Sequence, residues 1–329
     1  MGNVMSSVVV TGCAGFIGSH LCERLLDEGY SVKGIDNFDA YYDFLYKKRN
    51  LENILAKKGK FRFYNADIRD YERLLDILEP GDVVVHLAAR PGVRSSNRIP
   101  LKYVDNNIMG TVKLLEAIRA RNAEQVIFGS TSSVYGNAET PFSEDFPADR
   151  PLSVYAATKR SCEIILYVYS YYYNLPVTIL RLFTVYGPRV RPDMAIYKFS
   201  KNIVEGREIT LYGKGKLKRD YTYVGDIVDG TLRMGVVDGA VGEAINLASG
   251  TETRIIDLAN WINELTGNRA GVVFRPRRSW DKAVRRRASI EKARRILGYE
   301  PKTDMRAGLE KTYRWILENK DKIERAAKW

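Results

Sequence analysis

Tyr155 and Lys159 stand at i and i+4 in Tyr155-Ala156-Ala157-Thr158-Lys159, which puts a phenol and an ammonium on one helical face. A free phenol has a pKa of about 10, and an ammonium at ~6 Å in an effective dielectric of ~20 stabilises phenolate by about 3 kcal/mol, roughly two pK units. Such a shift brings Tyr155 toward the range of a general base. Pro151 and Ser153 give the helix a start signal, and the hydroxyl run Ser130-Thr131-Ser132-Ser133 lies just beyond the preceding strand. A Tyr-x-x-x-Lys spacing is structurally innocent in most proteins. The hydroxyls beside it, and the glycines upstream, favour a catalytic pair. The chain has only two histidines, His20 and His86, so a three-histidine metal site is impossible and acid–base chemistry must run mainly on Tyr, Lys, Asp or Glu.

Thr11-Gly12-Cys13-Ala14-Gly15-Phe16-Ile17-Gly18 sets glycines as GxxGxxG between a strand and a helix. Glycines let the backbone turn tightly and approach a diphosphate, which then sits on free N–H groups at the positive end of the helix. Gly18 would let that helix pack closely on the sheet. Asp36 ends the next strand, where a carboxylate accepts hydrogen bonds from an adenosine ribose and repels a 2′-phosphate, so the pattern favours NAD over NADP. Asp67-Ile68 follows the third strand. Asp67 there either bonds an adenine amino group or caps the next helix.

These residues need a scaffold, and the length of 329 residues is about twice the usual size of a single domain. Residues 7–11, 32–35, 61–64, 83–86, 125–130 and 177–182 read as strands. Helical patterns lie at 16–26, closed by Gly29, and at 71–78, 104–121 and 154–173. The alternation predicts an α/β fold, a doubly wound parallel sheet of Rossmann-like type covered on both faces. After about Phe183 glycines, prolines and charges become frequent, and later helical patterns fall at 255–265, 283–297 and 305–319. The expected division is a dinucleotide-binding domain over 1–182 and a smaller α+β substrate lobe over 183–329. Residues 244–248 are expected to return to the main sheet.

Fifty-two Lys+Arg against 40 Asp+Glu give a net charge of +12, which suits anionic partners. Three cysteines, Cys13, Cys22 and Cys162, are too few and scattered for a disulfide scaffold or a four-thiolate zinc site; no metal is expected. No secretory signal is visible and no apolar run reaches membrane-spanning length, so a cytoplasmic location is the default. Residues 269–295 carry many bases, including Arg285-Arg286-Arg287. A solvated helix face accounts for them. A nucleic-acid role would need an exposed stripe with aromatic interleaving or a recognised module, and neither is evident, so no nucleic-acid partner is expected.

Together the motifs resemble the extended short-chain dehydrogenase/reductase family. Thr11 to Gly18, His86-Leu87-Ala88-Ala89, Asn107, Ser130 to Gly136, Tyr155 to Lys159, Arg181 to Pro188 and Arg219 to Val224 match in order. The likeness implies a nucleotide-sugar epimerase, dehydratase or decarboxylase with bound NAD, usually a homodimer on paired helices, here those near 104–121 and 154–173. The tyrosines between Tyr167 and Tyr173 then serve core and dimer surface. The cofactor residues implied are Gly12, Gly15, Phe16, Ile17, Gly18, Asp36, Asn37, Asp67, Ile68, Leu87, Ala88, Ala89, Asn107, Ser130, Tyr155 and Lys159.

Dehydratases generally follow the Ser/Thr position with an Asp-Glu pair; Ser132-Ser133 stands there, which disfavours elimination of water. Galactose-type epimerases commonly carry Asn after Arg-x-Phe, where this chain has Thr184. Phe183 to Pro188, continuing through Arg191 to Ala195, with Asp36 to Asp43 and Ala89 to Arg94, is similar to the UDP-glucuronate 4-epimerase branch. Arg90 holds the place of the usual glutamine before Gly-Val-Arg, and Trp280 replaces the usual glycine before Asp281. A hexuronate carboxylate needs hydroxyl donors and a positive charge, which Thr131, Ser132, Ser133, Thr184 and Arg191 supply. Arg219 and Arg278 match the diphosphate contacts, Asp281 the uridine ribose, and Thr210 and Tyr212 the strand lining the uridine.

The expected activity is inversion of carbon 4 of a UDP-hexuronate, UDP-glucuronate or UDP-galacturonate, through a transient 4-keto sugar. Tyr155 takes the 4-hydroxyl proton directly or through Thr131, and Lys159 stabilises the phenolate. The alternatives are a UDP-glucose/UDP-galactose 4-epimerase and, in a different class, a non-catalytic nucleotide-sugar or nucleic-acid binding protein.

Overall fold

The computed structural model describes residues 7–235, 237–268, 271–278 and 284–319. The first strands are β1 (Ser7–Thr11), β2 (Ser31–Asp36), β3 (Phe61–Asn65), β4 (Val83–His86), β5 (Gln125–Thr131) and β6 (Val177–Leu182). Further along lie β7 (Thr184–Tyr186), β8 (Ile209–Tyr212), β9 (Lys218–Arg219), β10 (Tyr221–Tyr223), β11 (Ala244–Leu247), β12 (Thr253–Arg254) and β13 (Val272–Arg275). Seven strands form one sheet in the order β3-β2-β1-β4-β5-β6-β11, every pair parallel. The strand order reverses between β1 and β4, which opens a crevice at their carboxyl ends.

Near-continuous valine and isoleucine runs are what a sheet covered on both faces requires. Val8 and Val10 of β1 pack toward one core with Leu21 and Leu25 of the helix Phe16–Asp27 and Ile227 of the helix Val224–Met234. Val9 points to the opposite core, with Leu74, Leu114, Cys162 and Leu166 from the helices Tyr71–Ile77, Gly110–Ala120 and Val154–Tyr173. β11 pairs with β6 in parallel, so the chain does return to the main sheet.

The later elements build their own core from Ile196, Phe199, Leu211, Leu258, Ile262 and Leu309. These come from the helix Ala195–Val204, β8, the helix Ile255–Thr266 and the helix Met305–Glu318. Three two-stranded pairs, β7–β10, β8–β13 and β9–β12, accompany them.

One expectation is corrected, and a second holds with a local change of winding. The helix expected over 283–297 exists only as Glu291–Leu297; position 283 lies outside the described residues. Before it the chain is extended, because its carbonyls are taken by neighbouring strands and loops. Val284 accepts from Lys218 N–H at 2.9 Å, Arg286 from Asp220 N–H at 2.8 Å and Arg287 from Phe142 N–H at 2.7 Å. The pattern at 104–121 is not one regular helix: Val104–Met109 is wound as a π-helix before Gly110–Ala120 continues as α-helix, a wide turn of the kind found beside functional sites.

Candidate active site

β1 delivers the chain into the glycine turn. Gly12 has φ +73, and its N–H donates to Ile35 O at 2.7 Å. A Cβ on Gly12 would lie 2.9 Å from Ala88 N, and one on Gly18 would lie 2.2 Å from the Gly12 carbonyl oxygen. Gly18 therefore brings the helix against the turn itself, more than against the sheet. Gly15 caps the helix Phe16–Asp27 without a side chain, which leaves first-turn N–H groups for an anion. A backbone cradle that any Cβ would fill fits a dinucleotide pyrophosphate.

An open cleft runs from this turn. Gly12, Gly15, Phe16, Ile17, Gly18, Asp36, Asn37, Ile68, Leu87, Ala88, Ala89, Ser130, Tyr155 and Lys159 line it, with Arg191. Asp36 accepts from Ala14 N–H at 3.2 Å and Phe38 N–H at 2.8 Å, so it braces the turn as well as facing the cleft. Asp67 is held by Asn37 at 2.8 Å and by the Arg69 guanidinium at 2.7 and 2.9 Å. Those bonds, Arg69 foremost, pull its carboxyl down to about 2. Asp67 does not cap the following helix: Asp70 does, accepting from Arg73 N–H at 3.1 Å.

Asn107 lies behind the cleft and clamps the loop after β4. It accepts from Arg90 N–H at 2.7 Å and donates to Arg90 O and Thr158 Oγ1 at 3.2 and 3.1 Å. His86 ties the same region together, 2.7 Å from Thr11 Oγ1 and 3.0 Å from Thr111 Oγ1. Burial and the Lys159 charge push its imidazole down to about 3.

The helix Val154–Tyr173 starts where Ser153 accepts from Ala156 N–H at 3.1 Å, and it carries Tyr155 and Lys159 into the cleft. The Lys159 ammonium donates to Gly129 O at 2.6 Å and sits 4.4 Å from the centre of the Phe128 ring. Burial lowers its pKa to about 8. Tyr155 behaves differently from the expectation of a phenol lowered by its lysine. Burial raises its pKa, and this outweighs the opposing charge of Arg191 and a hydrogen bond with Thr131. Asp193 grips the Arg191 guanidinium at 2.9 and 3.1 Å.

Beyond Thr131, Ser132 and Ser133 open a short 3-10 turn, and Ser133 N–H donates to Thr131 Oγ1 at 3.2 Å. The Ser130 hydroxyl donates to buried Glu163, which also pairs with Arg181 at 2.8 Å and Arg160 at 2.8 Å. Ser130 therefore contributes to the cleft with its hydroxyl already engaged. Thr184 sits in β7, its N–H donating to Asp220 O at 3.1 Å. Arg219 in β9 donates to Lys218 O and Val284 O at 2.7 and 3.2 Å.

Arg286, which the sequence assigned to a solvated face, donates to Ser132 O at 3.2 Å. Burial and the neighbouring Arg219 lower its pKa to about 10. Its partners are remote in sequence, so no spacing signalled it. Thr210 and Tyr212 stand in β8, where Arg278 stacks 4.2 Å from the centre of the Tyr212 ring. Asp281 lies outside the described residues. Among the described residues no cluster of His, Cys, Asp or Glu suited to a metal occurs.

The family model described as GDP-mannose 4,6 dehydratase matches residues 9–312. The chain belongs to this family, within the extended short-chain dehydrogenases/reductases. It is 40% identical to a UDP-glucuronate 4-epimerase of Thermodesulfobacterium geofontis over 97% of this chain and 99% of that one. Among solved structures it is similar to the UDP-glucuronic acid 4-epimerase of Bacillus cereus in complex with UDP-glucuronic acid and NAD (TM-score 0.88, 38% identity, 95% of this chain and 99% of that one). It is also similar to the UDP-glucose 4-epimerase of Thermotoga maritima with UDP-glucose (TM-score 0.84, 30% identity, 95% and 99%).

Proposed function

We propose that this protein inverts carbon 4 of a UDP-hexuronate, interconverting UDP-glucuronate and UDP-galacturonate through a 4-keto sugar. In coarser terms it is an NAD-dependent nucleotide-sugar epimerase, an isomerase. The observation that carries the finer reading is Arg191, a guanidinium beside the Tyr155 phenol and clamped by Asp193. A cation fixed next to the general base is where the carboxylate of a hexuronate would be bound.

Gly12, Gly15 and Gly18 would hold the pyrophosphate of NAD, and Asp36 its adenosine ribose. When bound, NAD accepts and returns a hydride at carbon 4. Tyr155 takes the proton of the 4-hydroxyl directly or through Thr131, and gives it back after the sugar has turned. Lys159, charged below about pH 8, supplies the positive field around that exchange. Arg191, with the hydroxyls of Thr131, Ser132, Ser133 and Thr184, holds the carboxylate in place. No carboxylate replaces a hydroxyl in that cluster, which supports retention of carbon dioxide by the β-keto acid.

Arg219 and Arg278 are assigned to the diphosphate, Thr210 and Tyr212 to the uridine, and Asp281 to its ribose. The cofactor-binding domain is assigned to residues 1–182 and the substrate-binding lobe to residues 183–329, the two interleaved where Ala244–Leu247 joins the main sheet. A homodimer through the paired helices near 104–121 and 154–173 belongs to the proposal; Tyr167, Tyr171 and Tyr172 on the second of them are 67%, 71% and 72% exposed. No helix among the described residues is long and apolar enough to cross a membrane, and a cytoplasmic location is proposed from the sequence. The similarity to a UDP-glucose 4-epimerase supports a second reading, in which the substrate is UDP-glucose.

UDP-glucuronate carrying deuterium on carbon 4 tests the mechanism. The label should remain on carbon 4 of the UDP-galacturonate formed. Loss of the label to water would overturn a route in which one hydride leaves and returns.

A further inference from the structure

We infer that Arg90 and Asp39 form an ionic clasp over the bound dinucleotide and set how long it is retained. The inference rests on the reading above that the cleft holds NAD. Arg90 Nη1 donates to both carboxylate oxygens of Asp39, at 2.6 and 2.8 Å. Both residues line the cleft. They arrive from opposite sides of the glycine turn: Asp39 follows β2, Arg90 follows β4, and those strands flank β1 in the sheet. With strands about 4.8 Å apart, the parent strands are separated by about 10 Å. The ion pair thus spans the gap above the strand that carries the turn.

Each end of the pair is fixed. The Arg90 backbone is held through both N–H and C=O by Asn107. Asp39 N–H donates to Asn37 Oδ1 at 2.9 Å, and Asp39 Oδ1 accepts from Tyr41 N–H at 2.9 Å. The two loops also meet at Gly92, where an added Cβ would lie 2.2 Å from the Tyr41 hydroxyl oxygen. The guanidinium lies 5.7 Å from the centre of the Tyr41 ring.

One donor of the clasp remains unused. Arg90 Nε is buried and has no hydrogen-bond partner, although a buried N–H of this kind ordinarily finds an acceptor. A phosphate or ribose oxygen of a dinucleotide is an acceptor of the right kind. Arg90 would then touch the cofactor through Nε while Nη1 latches to Asp39. Leaving the cleft would require the latch to open, so cofactor release should be slow and sensitive to salt, which weakens a partly exposed ion pair.

The test is the release of isotopically labelled NAD from purified protein into excess unlabelled NAD, followed by rapid gel filtration. Arg90→Gln and Asp39→Asn should each release label about tenfold faster, since losing one partner of a charged pair acts mainly on the off-rate. The double variant should be no faster than Arg90→Gln alone, because with Arg90 gone Asp39 has no latch left to lose. Raising salt from roughly 50 to 500 mM should speed release from the wild type several-fold and leave both single variants nearly unchanged. If Arg90→Gln does not fold, Asp39→Asn and Arg90→Lys carry the test, the lysine variant with an intermediate rate.

Wild-type release rates in the single variants would overturn the clasp, as would effects that multiply in the double variant. A wild-type protein that takes up no labelled NAD would overturn the NAD reading and the clasp with it. Wild-type loading thus separates the two failures.

Discussion

The Arg191 guanidinium lowers the pKa of the Tyr155 phenol while burial raises it, so the base of the proposed reaction sits between a desolvating pocket and one guanidinium. Arg191→Gln removes the lowering influence, so the phenol moves further up and needs a higher pH to lose its proton. The rising limb of the pH–rate profile should shift to alkaline pH. kcat/KM for UDP-glucuronate should fall about a hundredfold, the scale of a charged hydrogen bond of about 1.5–3 kcal/mol. UDP-glucose, lacking the carboxylate, should lose less. An unmoved profile with equal losses for both sugars would count against a carboxylate on Arg191.

Lys159 makes activity and stability respond differently to rising pH. Burial holds its ammonium down to about 8, whereas the unfolded chain titrates near ~10.4. Between those values the unfolded state binds more protons, so unfolding free energy rises with pH. Turnover needs Lys159 charged and Tyr155 ionised together, and burial raises the Tyr155 pKa, so its rise with pH should level off over the same interval. Melting temperatures and rates measured from about pH 7.5 to 10 check this, with the slope in Lys159→Met stability expected to be flatter than in the wild type.

Gly18→Ala drives a methyl group to within 2.2 Å of the Gly12 carbonyl. Backbone must move, at about 1–3 kcal/mol, and the cradle that moves is the one assigned to the pyrophosphate. Urea unfolding should show the loss, and labelled NAD should bind more weakly. At Gly239 an added Cβ has Ile296 Cγ2 as its nearest neighbour, at 3.9 Å, so Gly239→Ala should stay within about 0.5 kcal/mol of wild type.

His86 makes the fold acid-sensitive. Its imidazole is neutral in the folded state, pushed down to about 3, while the unfolded chain takes up the proton near pH ~6.5. The stability is therefore fully present above about 6.5 and is lost as pH falls below it. At about pH 5 the loss is about 2 kcal/mol from this residue. His86→Asn should lower stability at neutral pH, because the bonds to Thr11 and Thr111 are disturbed, yet show a shallower decline on acidification. Parallel declines would show that His86 stays out of the acid transition.

Much of this was legible in the sequence where chemistry and backbone geometry depend on local spacing. The glycine turn, the Tyr155–Lys159 pair on one helix and the strand positions from Ser7 to Leu182 follow from periodicity and turn residues that neighbouring elements reinforce. The later half was less legible because distant partners decide its structure. Val284 to Arg287 carry a run of bases that suits a helix face, yet their carbonyls are held by Lys218, Asp220 and Phe142. The helices Phe44–Leu55, Ala195–Val204 and Val224–Met234 lay among charges, glycines and prolines that obscured their apolar faces. Arg286 beside Ser132, and the upward shift of Tyr155, required knowledge of burial that spacing does not carry.

Separate incubations of the purified protein with UDP-glucuronate and UDP-glucose, followed by chromatography of the products, test the central claim most directly. UDP-galacturonate should form from the first, and UDP-galactose much more slowly or not at all from the second. Exclusive conversion of UDP-glucose would contradict the assignment of Arg191 to a sugar carboxylate.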